Sequence, residues 1–397
     1  MATISQSPYA IPAEFEDFRA TIAQIARERI APRAAAIDAD AEYAWDVREL
    51  FAHHDLFALA FDERFGGTGT GHLMQVIAIE EVAKACASSA LMLAVHDLGS
   101  LPIRLAGSEA MKESVLPRLA SGEWVPAFAL SEPEAGSDPG GMKTRAIKAN
   151  GEWVLNGSKN WISQAGVADI YVVFAVTDPD QGHSHGISAF LVERDRAGFT
   201  VGKPEHKLGI KGSPTAALTF EDVRVPNENL IGDQGTGFRL AMATLDRSRL
   251  GIAAQALGIA QGAIDYALSY AVERRQFGRS IADFQAIQFK LADMETHTAA
   301  ARELLYKAAA KADRQEADLG KYSAMAKLLC SDTAMAVTVE AVQVLGGYGY
   351  VTDYPVERMM RDAKITQIYE GTNEIQRLVI ARSLVKAAGR RSAEVAS

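Results

Sequence analysis

Apolar positions along this chain change their spacing twice. From Glu14 to about Ala120 they recur every three or four residues. Phe15, Phe18, Ile22 and Ile25 form one stripe, and Met74, Ile77, Ala78 and Val82 another, with Glu80, Glu81 and Lys84 interleaved. This is helical spacing. Pro32 is expected to close the first helical stretch, because proline cannot donate to the ladder. The run Gly66-Gly67-Thr68-Gly69-Thr70-Gly71 reads as a flexible connection to the next helix.

From Trp124 to about Val225 the texture is that of strands. Lys143–Lys148 and Glu152–Asn156 flank Asn150-Gly151, a pair that favours a two-residue hairpin turn. Asp169–Thr177, Gly186–Glu193 and Ala216–Val225 are β-branched or aromatic runs separated by Gly, Asp and Pro. Short strands with short turns predict an antiparallel barrel or sandwich. From about Gly237 the helical period returns in long segments, 238–276, 284–314 and 319–345, which predict a four-helix bundle with a last helix from Thr372 towards Ala388. The tail after Gly389 reads as loose. The fold class is therefore mixed α and β, with a helical domain over 1–122, a β-domain over 123–233 and a helical bundle over 234–397.

Composition narrows the setting. The 397 residues are 48% hydrophobic and 23% charged, enough for two or three packed units and ordinary for a globular protein. A net charge of −9 offers no basic field for nucleic acid or an anionic membrane, leaving only local basic spots such as Arg274 and Arg275. Cys86 and Cys330 sit in apolar helical stretches and read as core residues in a reducing compartment. The first residues show no basic-then-apolar leader, and no apolar run reaches the roughly 18 residues that span a bilayer. A cytoplasmic protein is expected.

Absent motifs exclude several chemistries. There is no G-x-G-x-x-G after a strand and no G-x-x-x-x-G-K-[ST]. The eight histidines include no H-E-x-x-H, and His183-Ser184-His185 lies in a Gly/Asp-rich turn, so no metal site is expected. Five strings are more informative. They are Phe128-Ala129-Leu130-Ser131-Glu132-Pro133-Glu134-Ala135-Gly136-Ser137-Asp138, Asn160-Trp161-Ile162-Ser163, Glu273-Arg274-Arg275-Gln276-Phe277-Gly278-Arg279, Gln343-Val344-Leu345-Gly346-Gly347-Tyr348-Gly349-Tyr350, and Arg361-Asp362-Ala363-Lys364-Ile365 through Ile368-Tyr369-Glu370-Gly371-Thr372-Asn373-Glu374-Ile375-Gln376. In this order and spacing they resemble the acyl-CoA dehydrogenase family over nearly the whole chain.

The resemblance implies FAD as cofactor and assigns contacts to it. Phe128, Leu130 and Ser131 would meet the flavin pyrimidine side, with Gly136 and Ser137 at the pyrophosphate and CoA side. Trp161 would cover the flavin, and Ser163, where relatives often carry Thr, would orient the hydride acceptor. Arg274 would pair with phosphate of FAD held by a neighbouring subunit, Phe277 and Gln285 would touch its adenosine part, and Gln343, Gly346 and Gly347 would approach the same cofactor. Thr372 and Glu374 match positions at the diphosphate and ribose. Each has a plainer reading: a connector, a strand edge, a cation at a helix end.

Glu370 is the implied catalytic base. Oxidising a saturated thioester removes a proton from Cα and a hydride from Cβ, and a desolvated carboxylate suits the first task. A minority of the family carries its base on another helix, at a position matching Arg249 here, and arginine cannot accept a proton at working pH. Asp246 and Arg249 read equally as a CoA-side pair or as a structural ion pair. Ala90, Ala94 and Leu98, spaced by four, share one helix face, which ordinary helix packing explains at least as well as a pocket; the resemblance implies that they lie near the acyl end, with Tyr369 and Gly371 at the thioester end. His96 and Asp97 are expected at a solvated helix end. The absence of Lys and Arg from Ala87–Leu101 disfavours a dicarboxylic acyl chain, and a short or medium chain, straight or branched, is expected. The expected assembly is a homotetramer that passes electrons to an electron-transfer flavoprotein. Alternatives are a flavin oxidase or monooxygenase, a carrier-protein acyl dehydrogenase, and a non-catalytic scaffold.

Overall fold

The computed structural model describes residues 11–395. The leader reading of the first ten residues and the side-chain reading of His183-Ser184 therefore lie outside it. Helices α1 (Ala13–Ile25), α2 (Ala34–Asp40), α3 (Trp45–His53), α4 (Gly71–Ala85), α5 (Ala87–Ala106) and α6 (Glu109–Ala120) build the N-terminal part. Pro32 does not end the helical path. A π turn over Ala26–Ile30 and a short 3-10 turn over Ala31–Arg33 carry it into α2. Proline falls in the first turn of that restart, where its missing N–H costs little. No local side chain caps α4. Asp313 does so from far along the chain, accepting the N–H groups of His72 at 2.6 Å and Leu73 at 3.2 Å.

The expectation for His96 and Asp97 is corrected here. Both are buried in α5. His96 Nε2 lies 2.8 Å from the Leu119 carbonyl, and Arg104 Nη1 donates to Asp97 at 2.6 Å. Burial and two nearby arginines, Arg48 and Arg104, hold the imidazole well below its ordinary value, so it is neutral.

The middle of the chain forms one eight-stranded sheet from β1 (Pro126–Ala129), β2 (Arg145–Ala149), β3 (Glu152–Ser163), β4 (Ile170–Val176), β5 (Ile187–Glu193), β6 (Phe199–Val201), β7 (Thr215–Pro226) and β8 (Leu230–Ile231), with a short helix α7 (Gly182–Gly186) before β5. Asn150 and Gly151 both take positive φ, 53° and 85°, as a tight hairpin requires. Pairing is mostly antiparallel, but β1 runs parallel to β4, and β2 meets β4 in parallel at Arg145 and Val176. β4 and β5 are buried on both faces. Ile170, Val172 and Phe174 pack towards the helices, while Tyr171, Val173 and Ala175 fill a second core inside the sheet. That explains why both strands read as unbroken apolar runs.

Three long helices follow the sheet, α8 (Gly237–Glu273), α9 (Gln285–Asp313) and α10 (Leu319–Leu345), with a small hairpin of β9 (Arg275–Gln276) and β10 (Arg279–Ser280) between the first two. Then come α11 (Pro355–Thr366) and α12 (Asn373–Val395), which extends the last helix through the stretch expected to be loose. The segment Leu319–Tyr350 is long and apolar enough to cross a membrane by length and composition, yet half of its most apolar window is buried, against α8 and α9. Close crossing of α4 and α8 depends on small residues. A Cβ on Gly258 would meet the Glu80 carbonyl at 2.2 Å, and one on Gly262 the Lys84 carbonyl at 2.4 Å. The start of α8 packs with the sheet through Leu240 and Ala241, and its middle packs with α4 and α5 through Leu250 to Ala260. α5 makes the same crossing in reverse, with Ala90–Val95 in the larger core and Ile103 in the other.

Candidate active site

Between α11 and α12 the backbone turns on two successive left-handed residues, Glu370 (φ 52°) and Gly371 (φ 93°). Glycine accepts this conformation freely, whereas glutamate pays about 1–2 kcal/mol for it. The turn is held from three helices. The Glu370 carbonyl accepts Arg249 Nε at 3.4 Å and Gln376 Nε2 at 3.2 Å. The Gly371 carbonyl accepts Lys327 Nζ at 2.9 Å and Gln376 Nε2 at 2.8 Å. A strained residue so tightly determined is a mark of a functional position.

The turn aims the Glu370 carboxylate at α8. Ser248 Oγ donates to Oε2 at 2.6 Å, and the other oxygen, Oε1, is buried without a partner. Burial pushes this carboxyl up to about 7, against the opposing pull of Ser248, Arg249 and Lys327. Arg249 is buried and donates to Asp246 at 2.7 Å, so these two form a real ion pair that also touches the Glu370 backbone. The structure corrects one position. Ser248, not Arg249, faces the carboxylate from α8, and a serine hydroxyl is no base at working pH either.

Tyr369 points away from Glu370 into the space between α5 and α8. Its hydroxyl donates to Gln255 Oε1, and Gln255 Nε2 donates to the Ala87 carbonyl at 2.9 Å. This bridge closes the space at one level. Ala90, Ala94 and Leu98 are all buried on α5, and a Cβ on Gly251 would come within 3.3 Å of the Ala94 Cβ.

The candidate cofactor residues fall into three groups. In the first, Ser131 accepts Asn160 N–H at 2.9 Å, tying the loop after β1 to β3. A buried pair underlies this loop, with Lys159 donating to Glu132 at 2.8 Å and to the Leu130 carbonyl at 3.0 Å. Glu132 also accepts the N–H groups of Lys143 and Thr144, so its charge is fully used. The Leu130 side chain is committed to the core, and Phe128 is half-buried against Phe174. Gly136 and Ser137 are exposed on the loop. A bulge in β3 gives Trp161 a φ of 63° and leaves it 59% exposed, with Ser163 half-buried two residues on.

In the second group, Arg274, Gly346 and Gly347 line an open cleft of about 520 Å³ with Tyr348, and the Arg274 guanidinium lies 5.3 Å over the Tyr348 ring. A Cβ on either glycine would meet nothing within 4 Å, so backbone is accessible there. Gln343 is exposed one turn earlier on α10, Gln285 opens α9, and Phe277 is 92% exposed at the hairpin tip. In the third group, Thr372 and Glu374 line a smaller cleft of about 310 Å³ at the start of α12 with Lys364 and Arg377. Sequence reading missed Ser248, Gln255, Lys327 and Gln376. Only Gln376 lay inside one of the five strings; the others reach Gly371, Tyr369 and Glu370 from helices 44 to 122 residues away.

The family descriptions "Acyl-CoA dehydrogenase, N-terminal domain", "middle domain" and "C-terminal domain" match residues 12–123, 127–223 and 235–385. A probable acyl-CoA dehydrogenase of Mycobacterium tuberculosis is 52% identical over 379 residues, covering 95% of this chain and 97% of the relative. Butyryl-CoA dehydrogenase from Megasphaera elsdenii superposes with a TM-score of 0.92 at 44% identity, covering 96% of this chain and 100% of that one. A chain of a structure described as the electron transferring flavoprotein of Acidaminococcus fermentans superposes at 0.93 with 44% identity, covering 95% and 99%.

The carboxylate environment makes a direct prediction. Ser248→Ala removes the only hydrogen bond to the Glu370 carboxylate among the described residues. In the flavin-loaded, substrate-free protein its titration midpoint, followed by difference infrared spectroscopy with labelled glutamate, should move above the value of about 7. A midpoint that stays or falls contradicts the assignment.

Proposed function

This chain belongs to the acyl-CoA dehydrogenase family, flavin-dependent oxidoreductases that use FAD, and we propose that it oxidises a short acyl-CoA thioester to the trans-2-enoyl-CoA with Glu370 as the base. The observation that carries this reading is the buried, unpartnered Oε1 on a carboxyl raised to about 7. A base that is out of water and already near neutrality gains most from taking a proton. Glu370 takes the α-proton, the electron pair of that C–H bond forms the new double bond, and the hydride leaves Cβ. FAD, when bound, supplies the acceptor for that hydride. The Glu370 backbone N–H, on the same strained turn, is the donor we assign to the thioester oxygen. Ser248 orients the carboxylate, and Arg249 with Gln376 keeps the turn from relaxing.

The residues suit the cofactor. The accessible Gly346 and Gly347 backbone beside Arg274, which has no carboxylate partner among the described residues, is a fitting place for phosphate. Trp161, turned outward by the β3 bulge, offers an exposed ring for a planar group, and Ser131 and Ser163 offer hydroxyls near it. Thr372 and Glu374 would meet the diphosphate and ribose at the start of α12. We read Arg274, Phe277, Gln285, Gln343 and the two glycines as serving FAD bound mainly by a second copy of the chain. Exposed Leu268, Val272, Phe277 and Phe289 at this end of the bundle favour such a contact, consistent with a dimer of dimers.

A short acyl chain is favoured by the Tyr369–Gln255–Ala87 bridge and by the tight approach of Gly251 to Ala94, which leave little depth between α5 and α8. The similarity to butyryl-CoA dehydrogenase points the same way. Asp246 and Arg249 stand at the CoA side of the turn, with Ser137 on the loop after β1. The structural neighbour from Acidaminococcus fermentans supports an electron-transfer flavoprotein as acceptor, and the two buried free thiols suit a cytoplasmic setting.

Anaerobic titration of the yellow protein with a series of acyl-CoAs, following the oxidised flavin band, tests the reaction and the chain length together. Butyryl- or hexanoyl-CoA should bleach fastest, and Gln255→Ala should shift the optimum towards octanoyl-CoA. A protein bleached by no acyl-CoA contradicts the function; a wild-type optimum at long chains contradicts the pocket. Arg274→Ala should weaken FAD retention about ten- to a hundredfold, the value of one charge-assisted contact. A variant that keeps its full flavin content on dilution would exclude that role.

A further inference from the structure

Lys327 sits in the middle of α10, fully buried, and among the described residues it has no ion-pair partner. That is unusual. The other fully buried lysine, Lys159, is neutralised by Glu132 at 2.8 Å. Lys327 instead spends two of its three N–H groups on uncharged oxygens, the Gly371 carbonyl at 2.9 Å and Asn373 Oδ1 at 2.9 Å. An ammonium held in the interior by amides alone is costly, and its retention calls for a use.

Both contacts fall on the turn that carries Glu370. The Gly371 carbonyl follows the two left-handed residues, and Asn373 opens α12 while also bonding Ser331 and Asp332 on α10. Lys327 therefore fastens both ends of the Thr372 peptide segment to α10, and the turn cannot swing without breaking these bonds. We propose that Lys327 is a positioning residue for the base, locking the Glu370–Gly371 turn and supplying the buried positive charge that keeps Glu370 a carboxylate until substrate arrives. This inference rests on the reading of Glu370 as the base.

The charges around the pair support this role. Glu370 faces Ser248 and Arg249 on α8, Lys327 on α10 and, farther off, Asp97 on α5, which is tied to Arg104; Tyr369 is its chain neighbour. Lys327 faces Glu370, Arg249, Asp332 and, on α12, Glu374. Burial lowers the ammonium to about 7, and the Glu370 charge is the largest influence restoring it. In return Lys327 lowers the Glu370 carboxyl. Removing the ammonium must therefore raise the pH at which Glu370 becomes available as a base.

The test compares FAD-loaded wild type with Lys327→Met, Lys327→Gln and Lys327→Arg, using butyryl-CoA and an artificial electron acceptor across pH. For Lys327→Met, kcat should fall by about a hundredfold, as expected when a base is displaced by about 1 Å. KM should change little, flavin content should be kept, and the acidic limb of kcat/KM should move to higher pH. Lys327→Gln keeps an N–H for the Gly371 carbonyl but not the charge, so it should recover part of kcat without restoring the limb. Lys327→Arg should restore the limb. A folded, flavin-loaded Lys327→Met or Lys327→Gln with a wild-type limb and wild-type kcat overturns the inference while leaving Glu370 in place. Turnover that survives Glu370→Gln overturns both.

Discussion

One carboxylate oxygen, Glu370 Oε1, is kept from water and given no hydrogen bond. Burying a group in that state is unfavourable by about 1–3 kcal/mol even when it is neutral. The protein tolerates it because the surrounding turn has no freedom to hide the oxygen elsewhere. Ser248 takes the other oxygen, while Arg249, Gln376 and Lys327 hold the two carbonyls on either side. The unmet demand at Oε1 is thus left for whatever enters beside it. In the proposed reaction, binding and proton transfer are coupled through that one atom.

The architecture serves this constraint by bringing distant segments to rigid positions. α5 and α8 each run through two hydrophobic cores, one shared with the sheet and one with the bundle. A residue near the middle of α8, such as Ser248, is therefore fixed relative to both. Small residues set the spacing, since Gly258 and Gly262 admit the α4 backbone and Gly251 admits Ala94. Any larger side chain at these positions would push the helices apart and move the pocket walls. The sheet does the equivalent for the other side, where the Lys159–Glu132 pair anchors the loop after β1 and a β3 bulge turns Trp161 outward.

Much of this was legible in the sequence, and the failures have physical reasons. The 319–345 helix and the Asn150-Gly151 hairpin follow from local period and turn chemistry, which the tertiary fold did not override. Pro32 misled because a π turn upstream let the helix restart around it. His96 and Asp97 misled because their partners, Leu119 and Arg104, satisfy them in the interior. Glu370 stands out in the sequence through its string, and its raised carboxyl suits the role proposed for it. Ser248 and Lys327 were invisible because neither belongs to a string, and their meaning comes only from the turn they face.

The central claim is that Glu370 removes the α-proton. Single-turnover mixing of butyryl-CoA with anaerobic, FAD-loaded Glu370→Gln tests it most directly, because this substitution keeps shape and removes only basicity. Flavin absorbance should bleach rapidly in the wild type and at least about a thousandfold more slowly in the variant, within the range for loss of a general base, with the variant still yellow. Bleaching of the variant at a rate near wild type would contradict the account.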